Sequence, residues 1–167
     1  KEPSVNGTLG MAIVMEVATG EVKAIANMHK GKDGNYYEMK NSAVSDLMEP
    51  GCTFKTASMM LALEDGKATL NTKVDCNKGM FPMHGRIMKD HNWSRGGYGV
   101  LTFSNILEQS SNIGVSRIID DGYRDNPQAF VDGLLRMGVG LPLNLPFVGK
   151  GEPVIPQPNS KRRYWSK

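Results

Sequence analysis

Residues Glu49–Lys55, with the sequence EPGCTFK, begin the clearest helical pattern in the chain. The Pro-Gly pair interrupts the preceding segment, apolar residues follow at helical spacing, and Gly66 stands where such a helix would end. Cys52 is therefore expected at a helix N-terminus, where unpaired N–H groups and the helix dipole favour an anion. Lys55 lies three residues further on and can reach back toward the sulfur. Both effects lower the pKa of a thiol, so the stretch predicts a reactive nucleophile; a buried cysteine beside a solvated lysine is the alternative.

A second stretch, Ser110–Asn112 (SSN), lies in a break between two helical patterns. A hydroxyl and an amide two positions apart on a short connector can present a proton relay and a carbonyl-binding donor to one cleft. Ordinary helix capping is the alternative, because serine and asparagine are residues that a helix start favours. Each stretch alone favours the structural interpretation.

The segment before these stretches predicts an antiparallel β-hairpin. Apolar residues alternate over Leu9–Val17 and again over Val22–Met28, which is the period of a strand. Gly20, in the turn between them, can adopt a positive φ. Residues 30–40 are polar and predict a loop. A lone hairpin with one apolar face is marginal in water, so other elements must cover it.

The rest of the chain predicts helices. Residues 52–65 form the first helix, which we expect to be buried for most of its length, and residues 68–99 are irregular with short strands or turns. A second helix starts from Thr102 as N-cap, a third ends just before Gly122, and a fourth has Asn126 as N-cap and Pro127 at its first position. The order of elements predicts an α+β fold, with residues 1–167 as a single domain.

Composition excludes several classes of protein. The chain has 167 residues with a net charge of only +3, which gives no electrostatic argument for nucleic-acid binding. Two cysteines are too few for a disulfide scaffold, and three isolated histidines predict neither a metal site nor a cofactor site. The longest apolar stretch, Met11–Val17, is too short to span a membrane.

Taken together and in order, these motifs resemble those of the class B penicillin-binding proteins. Glu49–Lys55 is similar to the E-P-G-S-T-x-K start of their active-site helix, and Gln109–Gly114 (QSSNIG) is similar to their S-S-N-x-G motif. Ala12–Asn27 resembles the first hairpin of the transpeptidase domain. Gly138–Gly140 and Gly151–Pro158 resemble the stretch that leads toward the third motif, K-T-G.

The resemblance implies the N-terminal portion of a transpeptidase domain with the β-lactamase/D,D-peptidase-like fold. It implies a serine-type D,D-transpeptidase that cross-links peptidoglycan stem peptides ending in D-Ala-D-Ala, and β-lactams as covalent inhibitors. It places the protein on the periplasmic side of the bacterial inner membrane, with a membrane anchor in the parent protein but not in this chain, and links it to cell shape, cell division and antibiotic resistance.

The resemblance also implies a role for each site residue. Cys52 stands at the position of the nucleophile, and Lys55 is its general base or hydrogen-bond activator. Ser110 relays a proton to the leaving group, and Asn112 orients Lys55 and the substrate amide. Ser111, between the last two, is expected to bind substrate.

Two departures from the family pattern affect these expectations. Position 52 is cysteine where the family has serine, and no serine in the chain is followed by lysine three residues later. Neither Lys-Thr-Gly nor Lys-Ser-Gly occurs, and the chain ends at Tyr164–Lys167, near where the motif would follow. We therefore expect that the later sheet strands are missing, that this chain alone is inactive as a transpeptidase, and that it self-associates through the strands of Leu9–Met28.

Two alternatives remain open from the sequence. One is a β-lactamase or β-lactam sensor on the same fold, although S-S-N rather than S-D-N favours the transpeptidase. The other is a non-catalytic binding module of the cell-wall machinery. Cys76 is expected to pack as a small apolar residue, and a disulfide with Cys52 stays open. Asp90 and His91 are interpreted as loop residues rather than as an acid–base pair.

Overall fold

The computed structural model describes residues 6–158, which divide into two compact units. Unit 1 comprises residues 6–48 and 142–153, and unit 2 comprises residues 49–141 and 154–158. The chain end Tyr164–Lys167, on which the expected truncation rests, lies outside the described residues. That residues 1–167 form one domain stays a prediction. No helix among the described residues is both long and apolar enough to cross a membrane.

Unit 1 is a small antiparallel sheet with one short helix. Strands β1 (Leu9–Met15) and β2 (Val22–Lys30) form the predicted hairpin, with Ile13 opposite Ile25, and a register shift follows Val14. The turn contains Gly20 at a φ of 73°, as expected. A third strand, β3 (Tyr36–Glu38), pairs with the end of β2, so the sheet order is β1-β2-β3; helix α1 spans Ser42–Ser45.

Two details of unit 1 differ from the sequence predictions. The polar segment 30–40 contains strand β3 as well as a loop, because Tyr36–Glu38 pairs with Met28–Lys30 across a turn. In addition, β1 is largely exposed: the exposed fraction of Ile13 is 47% and that of Val14 is 58%. Within the described residues, β1 is an edge strand that pairs on one side only.

Unit 2 is mainly helical. Its helices are α2 (Phe54–Glu64), α3 (Phe103–Glu108), α4 (Asn112–Tyr123) and α5 (Pro127–Arg136), and its 3₁₀ turns are Gly51–Thr53 and Trp93–Arg95. Its strands form two antiparallel pairs, β4 (Lys73–Asp75) with β7 (Val100–Thr102) and β5 (Met80–Met83) with β6 (Arg86–Lys89).

Helix ends follow the sequence signals with one exception. Gly66 follows α2 at a φ of 66°, and Lys67 N–H donates to the Ala62 carbonyl, which closes the helix as predicted. The Thr102 hydroxyl accepts a hydrogen bond from Asn105 N–H and caps α3. Helix α4, however, continues through Gly122, because at this position a glycine lets Lys67 approach the helix closely.

Two hydrophobic clusters form the core of unit 2, and α2 contributes to both. Met59 and Ala62 pack in a cluster with side chains of α3, α4, β4 and β7, whereas Leu61 packs with Tyr123 and Leu134 against α4 and α5. Burial of each large side chain contributes about 1.5–3 kcal/mol. The expectation that α2 is buried for most of its length is wrong for one face, since Met60 is 57% exposed.

The β5–β6 hairpin is attached to α4 at its tip. His84 and Gly85 form the turn, both with positive φ, as a two-residue hairpin turn requires. The His84 ring nitrogen Nε2 lies 2.6 Å from Oδ1 of Asp120, whose other oxygen accepts from Arg124. Burial raises the pKa of Asp120, but the hydrogen bonds from Arg124 and His84 outweigh it and lower the pKa below its usual value.

Candidate active site

Cys52 lies in the 3₁₀ turn that leads into α2. Gly51, at a φ of 62°, turns the backbone there, and the Cys52 side chain is exposed. The pKa of the Cys52 thiol is lowered, first by hydrogen bonding with the Ser110 side chain, then by the opposite charge of Lys55 and a hydrogen bond from it. The thiol is therefore both accessible and biased toward the thiolate, which is the nucleophilic form.

Lys55 and Ser110 come together from distant parts of unit 2. Lys55, in the first turn of α2, is half-buried, and its ammonium Nζ donates to the Ser110 hydroxyl oxygen at 2.9 Å and to the Ser110 carbonyl oxygen at 2.6 Å. These two bonds hold the ammonium beside the hydroxyl. The structure thus brings together three of the predicted site residues, Cys52, Lys55 and Ser110.

Ser110 has an unusual backbone conformation. Its φ is 52°, in the left-handed region, and it follows the end of α3. Ser110 N–H donates to the Leu107 carbonyl and Ser111 N–H donates to the Ile106 carbonyl, which together form the hydrogen-bond pattern of a Schellman motif. Glycine is the usual residue at this position, and a serine there costs about 1–2 kcal/mol of backbone strain. Strain of this kind concentrates at functional sites, where the side chain compensates for it.

Asn112 begins α4, next to this junction. Its side-chain Nδ2 donates to the Lys89 carbonyl at 2.8 Å, at the end of β6. Among the described residues no hydrogen bond joins Asn112 to Lys55. The asparagine is half-buried and attached to the β5–β6 hairpin, and its action on Lys55 and on a substrate amide stays a prediction.

Ser111 caps the helix that follows it. Its side chain is completely buried, and its hydroxyl oxygen accepts from Gly114 N–H at 2.9 Å as the N-cap of α4. The same hydroxyl donates to the carboxylate of Asp90 at 2.8 Å. These contacts give Ser111 a structural role, and its binding of substrate stays a prediction. Gly114 has a second role here, since a Cβ at this position would lie 2.7 Å from Ile106.

Asp90 is the residue of this site that the sequence did not reveal. It lies in a loop after β6, as predicted, but it is 1% exposed and accepts hydrogen bonds from Ser111 and from Ile113 N–H. His91, its neighbour, is exposed and packs edge-on against Tyr98. Asp90 and His91 are therefore not an acid–base pair. No local pattern marks Asp90, because its partners lie more than twenty residues away.

The two cysteines occupy opposite environments. Cys76 is completely buried in the first hydrophobic cluster, as predicted for a small apolar residue, and burial raises the pKa of its thiol. Both cysteines are free, so no disulfide joins them. Within residues 6–158 no group of three or more His, Cys, Asp or Glu side chains could hold a metal ion.

The arrangement as a whole is suited to nucleophilic acyl transfer. An exposed thiol with a lowered pKa, an ammonium one helical turn away and a hydroxyl bonded to that ammonium provide a nucleophile and a path for its proton. These features describe a cysteine at the start of a helix with a lysine and a serine beside it, which is an arrangement that acyl transfer can use.

Comparison with known proteins identifies the family. A family model described as the penicillin binding protein transpeptidase domain matches residues 10–163, so the chain belongs to the penicillin-binding protein transpeptidase family. The chain is 32% identical over 162 residues to the peptidoglycan D,D-transpeptidase FtsI of Escherichia coli, which covers 94% of the chain and 25% of FtsI. It is 31% identical over 152 residues to the probable peptidoglycan D,D-transpeptidase PbpC of Pseudomonas aeruginosa. This match covers 88% of the chain and 26% of PbpC.

Solved structures agree with this assignment. The transpeptidase domain of penicillin-binding protein 3 from Burkholderia pseudomallei superimposes with a TM-score of 0.74 at 28% identity, over 92% of this chain and 42% of that one. A peptidoglycan glycosyltransferase from Burkholderia ambifaria gives the same TM-score and identity, over 89% of this chain and 42% of the glycosyltransferase chain. The α+β fold and the resemblance to class B penicillin-binding proteins are thereby confirmed. The chain spans about a quarter of the length of the curated relatives that it matches.

Proposed function

We propose that this chain carries the nucleophile half of a D,D-transpeptidase active site, in which Cys52 accepts an acyl group from a stem peptide ending in D-Ala-D-Ala. The observation that supports this most directly is the Lys55 ammonium bonded to Ser110 beside an exposed thiol whose pKa is lowered. In this proposal the thiolate attacks the carbonyl of the penultimate D-Ala, a thioester forms, and the terminal D-Ala leaves.

Each site residue then has one task. The Lys55 ammonium stabilises the Cys52 thiolate by its charge, and one proton of this ammonium passes through the Ser110 hydroxyl, which accepts a hydrogen bond from Lys55, to the departing amine. The backbone N–H of Cys52 stabilises the developing oxyanion. Asn112 lies at the start of α4, where it positions the substrate amide.

The proposal includes the setting of the protein. Peptidoglycan lies outside the cytoplasm, so we infer a periplasmic domain of a membrane-anchored parent protein that serves in cell shape or cell division. β-Lactams mimic the D-Ala-D-Ala end and would acylate the same thiol, which would inhibit the enzyme. Because the sequence contains no Lys-Thr-Gly or Lys-Ser-Gly, we expect this chain alone to be acylated slowly and not to turn over.

Acylation by benzylpenicillin tests the proposed function. The β-lactam ring opens on addition and no atom leaves, so the intact mass of the chain should rise by the full mass of the penicillin. Peptide mapping should place the adduct on Cys52 and leave the buried Cys76 unmodified, and Cys52→Ala should abolish it. If the penicillin fails to add after prolonged incubation while iodoacetamide still labels Cys52, the proposal that Cys52 of this chain accepts an acyl group is wrong. That result fits both a chain that is inactive on its own and a non-catalytic binding module.

A β-lactamase or β-lactam sensor is a second candidate for the same site. The transpeptidase, the β-lactamase or sensor, and the binding module differ in the fate of the penicillin adduct and in whether the parent gene encodes K-T-G. A β-lactamase would release the opened penicillin within the incubation, whereas the transpeptidase proposal requires the adduct to accumulate. A downstream K-T-G in the parent gene supports an active enzyme, and its absence supports the binding module.

We also propose that the chain self-associates through the open edge of β1. Ile13 and Val14 are exposed on this strand, and an uncharged edge is a template for pairing with another copy. Light scattering should give a mass above the 18.3 kDa of one chain. Ile13→Lys should restore the monomer, since a charged edge residue opposes pairing, whereas Ile87→Lys, at a similarly exposed position of β6, should not. A monomer of the unmodified chain at high concentration rules the proposal out.

A further inference from the structure

We propose that Asp90, the buried carboxylate at the end of β6, is a positioning residue that holds the Ser110 hydroxyl in place against Lys55 and Cys52. The inference rests on the proposed function only in that the proposed function gives the Ser110 hydroxyl a catalytic role. The physical claim, that Asp90 controls the environment of Cys52 through Ser110, can be tested without any transpeptidase activity.

Asp90 binds the first turn of α4 with both of its oxygens. Oδ2 accepts from the Ser111 hydroxyl at 2.8 Å, and Oδ1 accepts from Ile113 N–H at 3.0 Å. Asp90 is 1% exposed and Ser111 is completely buried, so water does not compete for these bonds. Both partners are donors, which matches the two acceptor oxygens of a carboxylate placed at a helix N-terminus.

The Ser111 hydroxyl has its geometry determined from two sides. Its only proton goes to Asp90, while its oxygen accepts from Gly114 N–H at 2.9 Å. The Cys76 sulfur lies 3.4 Å from the same oxygen and is a third hydrogen-bonding neighbour of this hydroxyl. A serine at an N-cap ordinarily holds the helix start alone; here an external carboxylate also holds the serine.

Ser110 is bonded directly to Ser111 and is therefore affected by this contact. Its φ of 52° is unfavourable for a residue with a side chain, so the backbone relaxes to negative φ unless its neighbours hold it. On one side the Leu107 and Ile106 carbonyls receive the N–H groups of Ser110 and Ser111. On the other side Asp90 holds the Ser111 side chain. Rotation of the Ser110 backbone would move its carbonyl and hydroxyl away from Lys55 Nζ.

The residues beside Asp90 support the same function. The Lys89 carbonyl accepts from Asn112 Nδ2 at 2.8 Å, so the last residue of β6 and the residue after it bind the three residues 111–113. Asp90 N–H donates to the Gly79 carbonyl at 3.0 Å, and the hairpin tip is attached to α4 through His84 and Asp120. These contacts of the β5–β6 hairpin hold the Asp90 carboxylate in position.

The test compares Asp90→Asn with Asp65→Asn in the full chain. The amide of the Asp90→Asn variant would present its NH₂ group to one of the two donors and lose that bond, which weakens the attachment of residues 111–113. Asp65 is the control, because its carboxylate also accepts two hydrogen bonds, from Tyr123 and Arg136, but it is only partly buried and lies at the far end of α2. The measurement is the rate of Cys52 alkylation by iodoacetamide as a function of pH, followed by peptide mass, together with the free energy of unfolding.

Asp90→Asn should slow alkylation at pH 7 by roughly fivefold and move the rate profile to higher pH. Asp65→Asn should lower stability and leave the profile unchanged. If Asp90→Asn does not fold, Ser111→Ala replaces it and should give the same change. In a Ser110→Ala background neither substitution should slow alkylation further, since the residue through which they act is already gone.

Either of two results overturns the inference: an unchanged alkylation profile in folded Asp90→Asn and Ser111→Ala, or a full additional effect in the Ser110→Ala background. The first means that Asp90 is only a structural cap of α4, and the second means that it acts on Cys52 by another route. Failure of penicillin to add to Cys52 would overturn the proposed function but leave these alkylation results intact, so the two failures are distinguishable.

Discussion

Replacing Lys55 with methionine should slow the acylation of Cys52 by penicillin by about a hundredfold or more. Methionine preserves most of the apolar stem of the half-buried side chain but removes the charge and the donors. The Ser110 hydroxyl and carbonyl then lose the ammonium that lies 2.9 and 2.6 Å from them, and the Cys52 thiolate loses the positive charge that favours it. The rate at which the adduct mass appears, compared with the unmodified chain, measures the effect.

Alkylation of Cys52 gives a second measurement of the same substitution. The Ser110 hydrogen bond and the Lys55 charge both lower the pKa of this thiol. Removing the charge should raise the pKa, so the thiolate forms only at higher pH and the alkylation rate at neutral pH falls. Lys73→Met, at an exposed lysine of β4 in the same unit, is the control and should leave both rates unchanged. Equal acylation rates in Lys55→Met and the unmodified chain would exclude Lys55 as an activator of Cys52.

Ser110 offers a separate test of function against stability. Ser110→Gly should be more stable than Ser110→Ala by about 1 kcal/mol, because glycine adopts positive φ without a steric cost and alanine does not. Both variants lose the hydroxyl, so both should slow acylation by about a hundredfold and shift Cys52 alkylation to higher pH. The expected pattern is therefore a stable but inactive glycine variant. Chemical denaturation gives the stability, and the penicillin adduct rate gives the activity.

Asn77 provides the matched control for this pair of substitutions. Its φ is 51°, close to that of Ser110, and it lies in unit 2 but is not one of the predicted site residues. Asn77→Gly should exceed Asn77→Ala in stability by the same amount, and neither should alter the acylation of Cys52. If Ser110→Gly retains the acylation rate, the hydroxyl has no part in the reaction and Ser110 is only a turn residue.

Local patterns predicted the elements whose formation depends on nearby residues. The alternation over β1 and β2 predicted their hairpin, and the Pro-Gly pair and Gly66 predicted the two ends of α2. Strand β3 escaped prediction because Tyr36–Glu38 is polar in context and becomes a strand only by pairing with the end of β2. Tertiary pairing of this kind leaves no trace in the short segment itself.

The candidate site divides in the same way. The spacing of Cys52 and Lys55 at a helix start was enough to predict a lowered pKa of the thiol. The contact between Lys55 and Ser110 was implied only by the resemblance of the ordered motifs, and the structure shows it as a hydrogen bond. Ser111 was assigned to substrate because its motif neighbours are, but burial makes it a cap. Asp90 was missed because a carboxylate buried against a helix start 21 residues away resembles any loop aspartate in the sequence.

The distribution of the hydrophobic core has a consequence for the resistance of the site to local unfolding. Among the described residues the buried apolar side chains lie in unit 2, with Val44 as the only one in unit 1. Segments with few buried contacts open at a lower free energy than the core, so the strands β1–β3 should fray first. Cys52, Lys55, Ser110 and Asp90 all belong to unit 2, which contains both hydrophobic clusters. Transient opening of the hairpin β1–β2 would therefore leave the nucleophile and the groups around it assembled.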